Sequence, residues 1–200
     1  MPEEENNITC DCKISNRVIS KNGVDLFTRQ DGNLNDFLIS AYEHFRLNYP
    51  KFYKMDNLCR LGLLAAEILL RDSFKKENYR PEEVGIVLAN SHSSLDTDLK
   101  YYETTRGFAS PSLFVYTLPN IVMGEICIRH KFKGENALFI QRKFNPEFIQ
   151  EYVRDLLNNN ILQACICGWV DLFAERHEAI LYLIEKGSAD LSREQKLNPK

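Results

Sequence analysis

The sequence predicts an α/β fold in which five strands form one mixed sheet with helices on both faces. Apolar, strand-like runs alternate with segments whose apolar residues recur at helical spacing. Val84–Ala89 is a continuous apolar run, which is typical of a strand buried on both sides of a parallel sheet. The last two strands are separated by about ten residues, too few for a crossover helix. The last strand is therefore expected to run antiparallel.

The five predicted strands combine apolar or β-branched residues with turn residues at their ends. They are Ile8–Ser15, Val84–Ala89, Ala137–Gln141, Ile161–Trp169 and Ala179–Ile184. Lys21-Asn22-Gly23 is compatible with a hairpin after the first strand, because Asn-Gly favours tight turns.

Four helices are predicted between these strands from apolar residues three and four positions apart. They are Leu34–Asn48, Asp56–Phe74, Pro119–His130 and Pro146–Asn159. The last begins with a strong start signal: Asn145 can cap the helix, Pro146 suits the first helical position, and Glu147 complements the positive end of the helix dipole. The stretch from Ala137 to Glu147 thus predicts a sharp strand-to-helix elbow.

Length and composition indicate a single globular domain over residues 1–200, with flexible ends at 1–6 and 188–200. The formal net charge of −3 indicates neither a nucleic-acid partner nor a membrane surface. No apolar run approaches the roughly 18 residues of a membrane span. The acidic start MPEEENN does not resemble a signal peptide, so a cytoplasmic location is expected.

The six cysteines include two C-x-C pairs, Cys10/Cys12 and Cys165/Cys167. This spacing differs from the usual zinc-binding C-x₂₋₄-C, and both pairs fall in predicted strands, where alternate residues share a face. They are interpreted as reduced, small apolar strand residues, and no metal or organic cofactor is predicted.

Two clusters are candidates for function. Ser91 and His92 precede Asp96 and Asp98 in NSHSSLDTD, which could serve a small hydrolase or transferase. The alternative is an ordinary loop in which one of the aspartates caps a helix. The second cluster is basic and comprises Arg129, His130, Lys131 and Lys133, with Arg142 and Lys143 nearby. It is either a solvated face or a docking surface for an acidic partner.

The segment SPSLFVYTLPNIVMGEICIRHKFKGEN, residues 110–136, resembles β-ketoacyl (3-oxoacyl-ACP) synthases and chain length factors of the thiolase superfamily. The matching residues are Ser110, Pro111, Pro119, Asn120, Gly124, Ile126, Ile128, Lys133 and Gly134. DNLCRLGLLAAEILLRD and VGIVLANSHSSLDTD upstream, with NNNILQACICGWVD and HEAILYLIEKG downstream, extend the similarity over roughly residues 56–187.

The resemblance implies one N-terminal thiolase-like half with strand order 3-2-1-4-5, the second half being absent. The family's nucleophilic cysteine falls at Lys143, give or take a residue, and an exposed lysine is a poor nucleophile at neutral pH. The histidines that assist decarboxylation come from the half that is absent. No catalytic residue is therefore expected.

The resemblance also implies partners. The third strand, comprising Ala137, Leu138, Phe139, Ile140 and Gln141, is expected to pair with a second chain. Leu113, Phe114, Leu118 and Val122 are expected near an acyl tunnel, unless they are plain core residues, and Arg129, Lys131 and Lys133 could dock an acyl carrier protein.

The predicted function is a non-catalytic, truncated chain length factor that pairs with a full-length ketosynthase in fatty acid, polyketide or aryl-polyene-type synthesis. A self-associating homodimer remains open, because the same strand edge would serve both assemblies.

Overall fold

A computed structural model describes residues 6–187 of the chain. Within them the chain forms seven strands, which are β1 (Asn6–Ser15), β2 (Val18–Lys21), β3 (Val24–Thr28), β4 (Val84–Asn90), β5 (Asn136–Ile140), β6 (Ala164–Phe173) and β7 (Arg176–Lys186). The α-helices are α1 (Leu34–His44), α2 (Asn57–Leu70), α3 (Leu95–Thr104), α4 (Pro111–Phe114), α5 (Ile121–His130) and α6 (Pro146–Asn158). The flexible ends predicted at 1–6 and 188–200 lie outside the described residues, except that Asn6 begins β1.

All seven strands belong to one mixed sheet with the order β3-β2-β1-β7-β6-β4-β5. The predicted five-stranded sheet of order 3-2-1-4-5 is therefore wrong. The first strand does not lie at the centre but pairs antiparallel with β7, and β4 pairs directly with β6. The antiparallel direction of the last strand is confirmed, because only Ala174 and Glu175 separate β7 from β6.

The two additional strands come from consecutive hairpins near the N-terminus. The turn residues Asn16 and Arg17 have φ of 50° and 60°, and Asn22 and Gly23 have φ of 51° and 76°. Positive φ at both central residues is what a type I′ hairpin turn requires. The hairpin considered from the sequence at Asn22-Gly23 is present. The Asn16-Arg17 turn lacks a glycine and therefore gives a weaker signal in the sequence. A register shift between Ile19 and Ser20 interrupts the pairing of β2 with the edge strand β3.

Helices cover both faces of the sheet, as predicted. On one face α2 packs against β1, β6 and β7, with α1 and α5 beside it. On the other face α6 packs against β4 and β6. Because α2 is enclosed by the sheet and by other helices, nearly all its residues are buried. The sheet thus separates two hydrophobic cores.

The two C-x-C pairs lie in different cores and are not neighbours in a metal site. Cys10 and Cys12 point toward α2, and Cys165 and Cys167 point toward α6. Burial raises the pKa of the Cys12 and Cys167 thiols, which favours the neutral form. Among residues 6–187 no three histidine, cysteine, aspartate or glutamate side chains are grouped as metal ligands.

The helix α3 follows β4 but was not among the predicted helices. Its only buried residue is Thr97, and its leucines face outward. Pattern-based prediction identifies helices that pack an apolar stripe on a core, so a helix that buries so little escapes it.

Across residues 6–187 no single helix is long and apolar enough to cross a membrane. The segments Pro111–Thr117 and Ile121–His130 together pass the same test by length and composition, but they are bent by 98°. Val122, Met123 and Ile126 on the second segment are buried in the α2-side core.

We expect Gly168→Ala to lower the free energy of unfolding by about 2–4 kcal/mol. Gly168 has a φ of 143°, and an added Cβ would lie 2.0 Å from the carbonyl oxygen of Ile180 on the neighbouring strand. Chemical denaturation followed by far-UV circular dichroism measures the change. The matched control is Gly124→Ala in α5, where a Cβ meets nothing within 4 Å. That variant should be neutral or more stable by up to about 1 kcal/mol. Equal stabilities of the two variants would contradict the argument.

Candidate functional site

The predicted strand-to-helix elbow is present at the carboxyl end of β5. The Gln141 N–H donates a 2.8 Å hydrogen bond to the Asn90 carbonyl at the end of β4. The chain then turns through Arg142 and Lys143, both of which are exposed. The Asn145 side chain caps α6 by accepting a 3.1 Å hydrogen bond from the Phe148 N–H, as predicted. The backbone of the elbow is thus held at both ends.

A cleft of about 460 Å³ opens beside this elbow. The lining residues come from the elbow and the adjoining ends of β1, β6 and β7, and they are Lys13, Ser15, Asn16, Lys143, Phe144, Trp169, Asp171, Arg176, His177 and Glu178. Within this set, Lys143 is the residue that the resemblance places at the position of the nucleophilic cysteine. Because the elbow and the upper end of β6 lie at the same edge of the sheet, a residue such as Asp171 near the end of β6 is brought to the elbow by the topology alone.

Asp171 fastens the loop after β4 to the end of β6. Its Oδ1 atom accepts hydrogen bonds of 3.0 Å from the backbone N–H groups of Ser91 and His92. Its Oδ2 atom lies 3.1 Å from the Ser91 hydroxyl and 2.8 Å from His92 Nδ1. The His92 ring also stacks on Phe173, with ring centroids 5.1 Å apart. The carboxylate therefore has four donors from one loop.

This geometry brings Ser91 and His92 to an aspartate, but not to either of the two considered from the sequence. Asp96 binds Lys100 at 2.6 Å and accepts from the Ala174 N–H, and Asp98 accepts from the Ser94 hydroxyl. The pairing of Ser91 and His92 with Asp96 or Asp98 is therefore corrected to Asp171.

The Ser91–His92–Asp171 cluster is not arranged as a catalytic relay. In a relay the serine and the carboxylate occupy opposite ring nitrogens of the histidine, so that the ring can carry a proton between them. Here the Ser91 hydroxyl and the Asp171 carboxylate both approach Nδ1, each at 2.8 Å. The arrangement fits a loop clamp and offers the serine no base oriented by a separate acid.

The strand β5 is an edge of the sheet, and its pairing partner within the described residues is β4. The Glu135 carbonyl and the Gln141 N–H both bond to β4. In a parallel ladder alternate residues direct their backbone groups to opposite neighbours. The N–H and C=O groups of Asn136, Leu138 and Ile140 therefore point away from β4. These groups can accept an additional strand.

An apolar surface lies on the segment that follows β4, and we name it the α3–α4 surface. Its members are exposed hydrophobic residues from α3, α4 and the links around them, and they are Leu95, Leu99, Tyr102, Phe108, Phe114, Val115 and Leu118. Phe108 is 90% exposed, which leaves nearly the whole ring in water. Exposed apolar groups gathered on one segment are typical of an interaction site.

The four residues predicted near an acyl tunnel separate into two environments. Phe114 and Leu118 are exposed members of the α3–α4 surface, and Leu113 beside them is half-buried. Val122 is 1% exposed and packs against Gly62 of α2, where a Cβ would lie 2.3 Å from a Val122 methyl group. Val122 is therefore a core residue of this chain. The expectation that it lies near an acyl tunnel is corrected.

Only part of the basic cluster is committed to internal interactions. Arg129 pairs with Glu67 at 2.5 Å and lies over the Tyr49 ring, and its guanidinium donates to the Asn48 carbonyl. Lys133 is 3.9 Å from Glu82, and both side chains are exposed. Lys131, which ends α5 in the left-handed conformation, is exposed. Of the predicted docking residues, Arg129 is thus held in an ion pair within the fold. Lys131 and Lys133 remain at the surface.

We expect Asp171→Ala to lower the free energy of unfolding by about 2–3 kcal/mol, because four donors lose their acceptor. Urea denaturation measures the loss. Asp25→Ala on the edge strand β3, at an exposed position, is the control and should change stability by less than about 0.5 kcal/mol. Esterase turnover by the wild-type chain that Ser91→Ala abolishes would contradict the clamp interpretation.

We expect acid to destabilise the fold through His130. Burial lowers the pKa of His130 to about 4 from a usual value near 6.5, and Glu67 only partly opposes this. The folded state disfavours the protonated ring, whereas the unfolded chain binds the proton at the usual pKa. The free energy of unfolding is therefore highest above pH 6.5 and falls as the pH drops toward 4, by at most about 3 kcal/mol. The difference in unfolding free energy between wild type and His130→Gln, measured across this range, should shift in favour of the variant. A pH-independent difference would refute the assignment.

Comparisons with known proteins identify the fold. No family model and no curated protein matches the chain. Among solved structures, the chain is similar to the ishigamide ketosynthase/chain length factor, with a TM-score of 0.66 and 17% identity over 96% of this chain and 64% of that one. It is also similar to the ketosynthase ApeO in complex with its chain length factor ApeC from Xenorhabdus doucetiae, with a TM-score of 0.57 and 15% identity over 94% of this chain and 81% of that one.

A third similar structure is AntDE:AntF, a type II polyketide synthase acyl carrier protein in complex with its ketosynthase. There the TM-score is 0.62, with 14% identity over 92% of this chain and 62% of that one. The chain thus spans less than two thirds of the length of the first and third structures. It has the thiolase-like fold shared by ketosynthases and chain length factors.

Proposed function

We propose that this chain is a non-catalytic, chain-length-factor-like subunit that pairs with a full-length ketosynthase. The complex would act in fatty acid, polyketide or aryl-polyene-type synthesis, and an acyl carrier protein would deliver its substrate. The similar structures include ketosynthases in complex with a chain length factor and with an acyl carrier protein, which supports this class of assembly.

One observation carries the proposal, which is that the elbow is intact and presents Lys143 where the resemblance places a nucleophilic cysteine. A thioester intermediate needs a thiol, and an exposed ammonium group cannot replace it. Cys127, in α5, is half-buried, and its pKa is raised by burial, so it does not offer an activated thiolate. Phe144 fills the next position and packs near Trp169, with ring centroids 5.9 Å apart.

The pairing surface that we propose combines the β5 edge with the α3–α4 surface. A partner strand would bond to the outward backbone groups of Asn136, Leu138 and Ile140. The Phe139 ring packs on Phe148 and Tyr152 of α6 at centroid distances of 4.8 and 5.1 Å, which stiffens this edge. The exposed Ile140 side chain, which is 54% accessible, would be covered by the partner.

Two further roles follow from this pairing. Phe114 and Leu118, with Leu113 beside them, would contact the partner and limit the length of its acyl tunnel. Lys131 and Lys133 would contribute to the docking of the acidic carrier protein. Pairing of this chain with a second copy through the same β5 edge is the alternative.

The test is co-expression of this chain with a full-length ketosynthase from the same cells, followed by purification and mass measurement. We expect a one-to-one complex. Ile140→Lys should reduce recovery of the ketosynthase at least tenfold, because a lysine would be buried without a partner at the interface. Ile161→Lys, at a position that is 50% exposed at the opposite end of the sheet, is the matched control and should retain the complex.

Ketosynthase activity should follow the recovery of the complex in both variants. A stable dimer of this chain alone that leaves the ketosynthase unbound would favour the self-associating alternative. Equal recovery with Ile140→Lys and Ile161→Lys would exclude β5 as the pairing edge.

A further inference from the structure

The floor of the elbow cleft is an ordered surface of the sheet on the face that carries α6. Trp169 of β6 is paired with Ile180 of β7, which is paired with Lys13 of β1. Asp171, Glu178 and Ser15 form the next row toward the carboxyl end of β6. Directly paired residues project to the same face, so Trp169 and Lys13 line the floor in one row, on either side of the buried Ile180, next to a polar row. Phe144 and Lys143 on the elbow line the cleft above this floor.

The charge of the cleft is biased toward the binding of an anion. The exposed Lys143 and Arg176 side chains both line it, as does Lys13. One of the two acidic residues, Asp171, already accepts four hydrogen bonds from the loop after β4, so its charge is compensated from within the protein. Cations at the rim beside a partly apolar interior are suited to a ligand with one charged end and one apolar end.

We propose that this cleft binds a small monoanionic carboxylate that has an aromatic or short apolar body. The carboxylate would pair with Lys143 and Arg176, and the body would lie against Phe144 and the part of the largely buried Trp169 that lines the cleft. The elbow lysine would then be a ligand-binding residue. This inference goes beyond the proposed subunit function and stands whether or not a ketosynthase binds at β5.

The chemistry of the lining favours a single negative charge. Glu178 lies on the floor, so a second negative charge on the ligand would be repelled at short range. The volume of about 460 Å³ accommodates a ring and its carboxylate with water remaining. A phosphate ester of the same ring, with up to two charges, should therefore bind more weakly than the carboxylate.

The sequence contains a single tryptophan, so the intrinsic indole fluorescence of the chain reports on Trp169 in this cleft. The experiment titrates the full chain with benzoate at low salt, with excitation at the red edge of the indole band. Benzamide is the uncharged match for benzoate, and phenyl phosphate is the dianionic match. We expect a saturable fluorescence change with benzoate, binding at least about tenfold weaker for benzamide, and an intermediate affinity for phenyl phosphate.

Lys143→Gln and Arg176→Gln should each weaken benzoate binding by roughly five- to tenfold. Lys75→Gln, at an exposed position that does not line the cleft, is the matched control and should bind like the wild type. Calorimetric titration repeats the measurement without the fluorophore, and thermal melting checks that each variant is folded. Absence of saturable binding, equal binding of benzamide, or wild-type affinity in both cleft variants would overturn the proposal. Loss of ketosynthase pairing in Ile140→Lys with unchanged benzoate binding would separate this site from the proposed function.

Discussion

The parallel pairing of β4 with both β5 and β6 decides where the residues of the elbow cleft and of the loop after β4 lie. Strands that run in the same direction end at the same edge, so the elbow after β5, the loop after β4 and the end of β6 are brought together there. The four hydrogen bonds accepted by Asp171 then fix the loop after β4 to the end of β6. Without this shared edge, Lys143, His92 and Trp169 would belong to three unrelated surfaces.

The parts of the fold that the sequence predicts are those in which a local signal and the tertiary packing agree. Val84–Ala89 is apolar throughout because it is buried on both faces, and the start of α6 follows directly from Asn145 and Pro146. The strand order could not be obtained in this way. Pairing of β1 with β7 is a contact between residues more than 160 positions apart, and no local pattern specifies it. The order inferred from the resemblance placed that strand wrongly at the centre.

The candidate site was predictable to a similar and limited degree. Counting along the family-like motif gives Lys143 as the position of the nucleophile, and the structure contains the predicted elbow around it. Asp171 was overlooked because an aspartate near the end of a strand is common, and its four donors come from a loop 80 positions away. Val122 and Phe114 look alike in sequence, because both are apolar residues of the same family-like segment, yet one is buried in the core and the other is exposed. Only the three-dimensional packing separates an apolar residue that faces the core from one that faces a partner.

The two edges of the sheet differ in a way that bears on stoichiometry. The pairing of β2 with the edge strand β3 is interrupted between Ile19 and Ser20, and an irregular edge of this kind discourages addition of a flat strand. The pairing of β5 with β4 is continuous from Asn136 to Ile140. If a partner strand pairs with β5, a molecule with one receptive edge and one protected edge would form a closed pair and not an open fibre. Under the proposed pairing at β5, the irregular pairing near the N-terminus would therefore limit the size of the assembly.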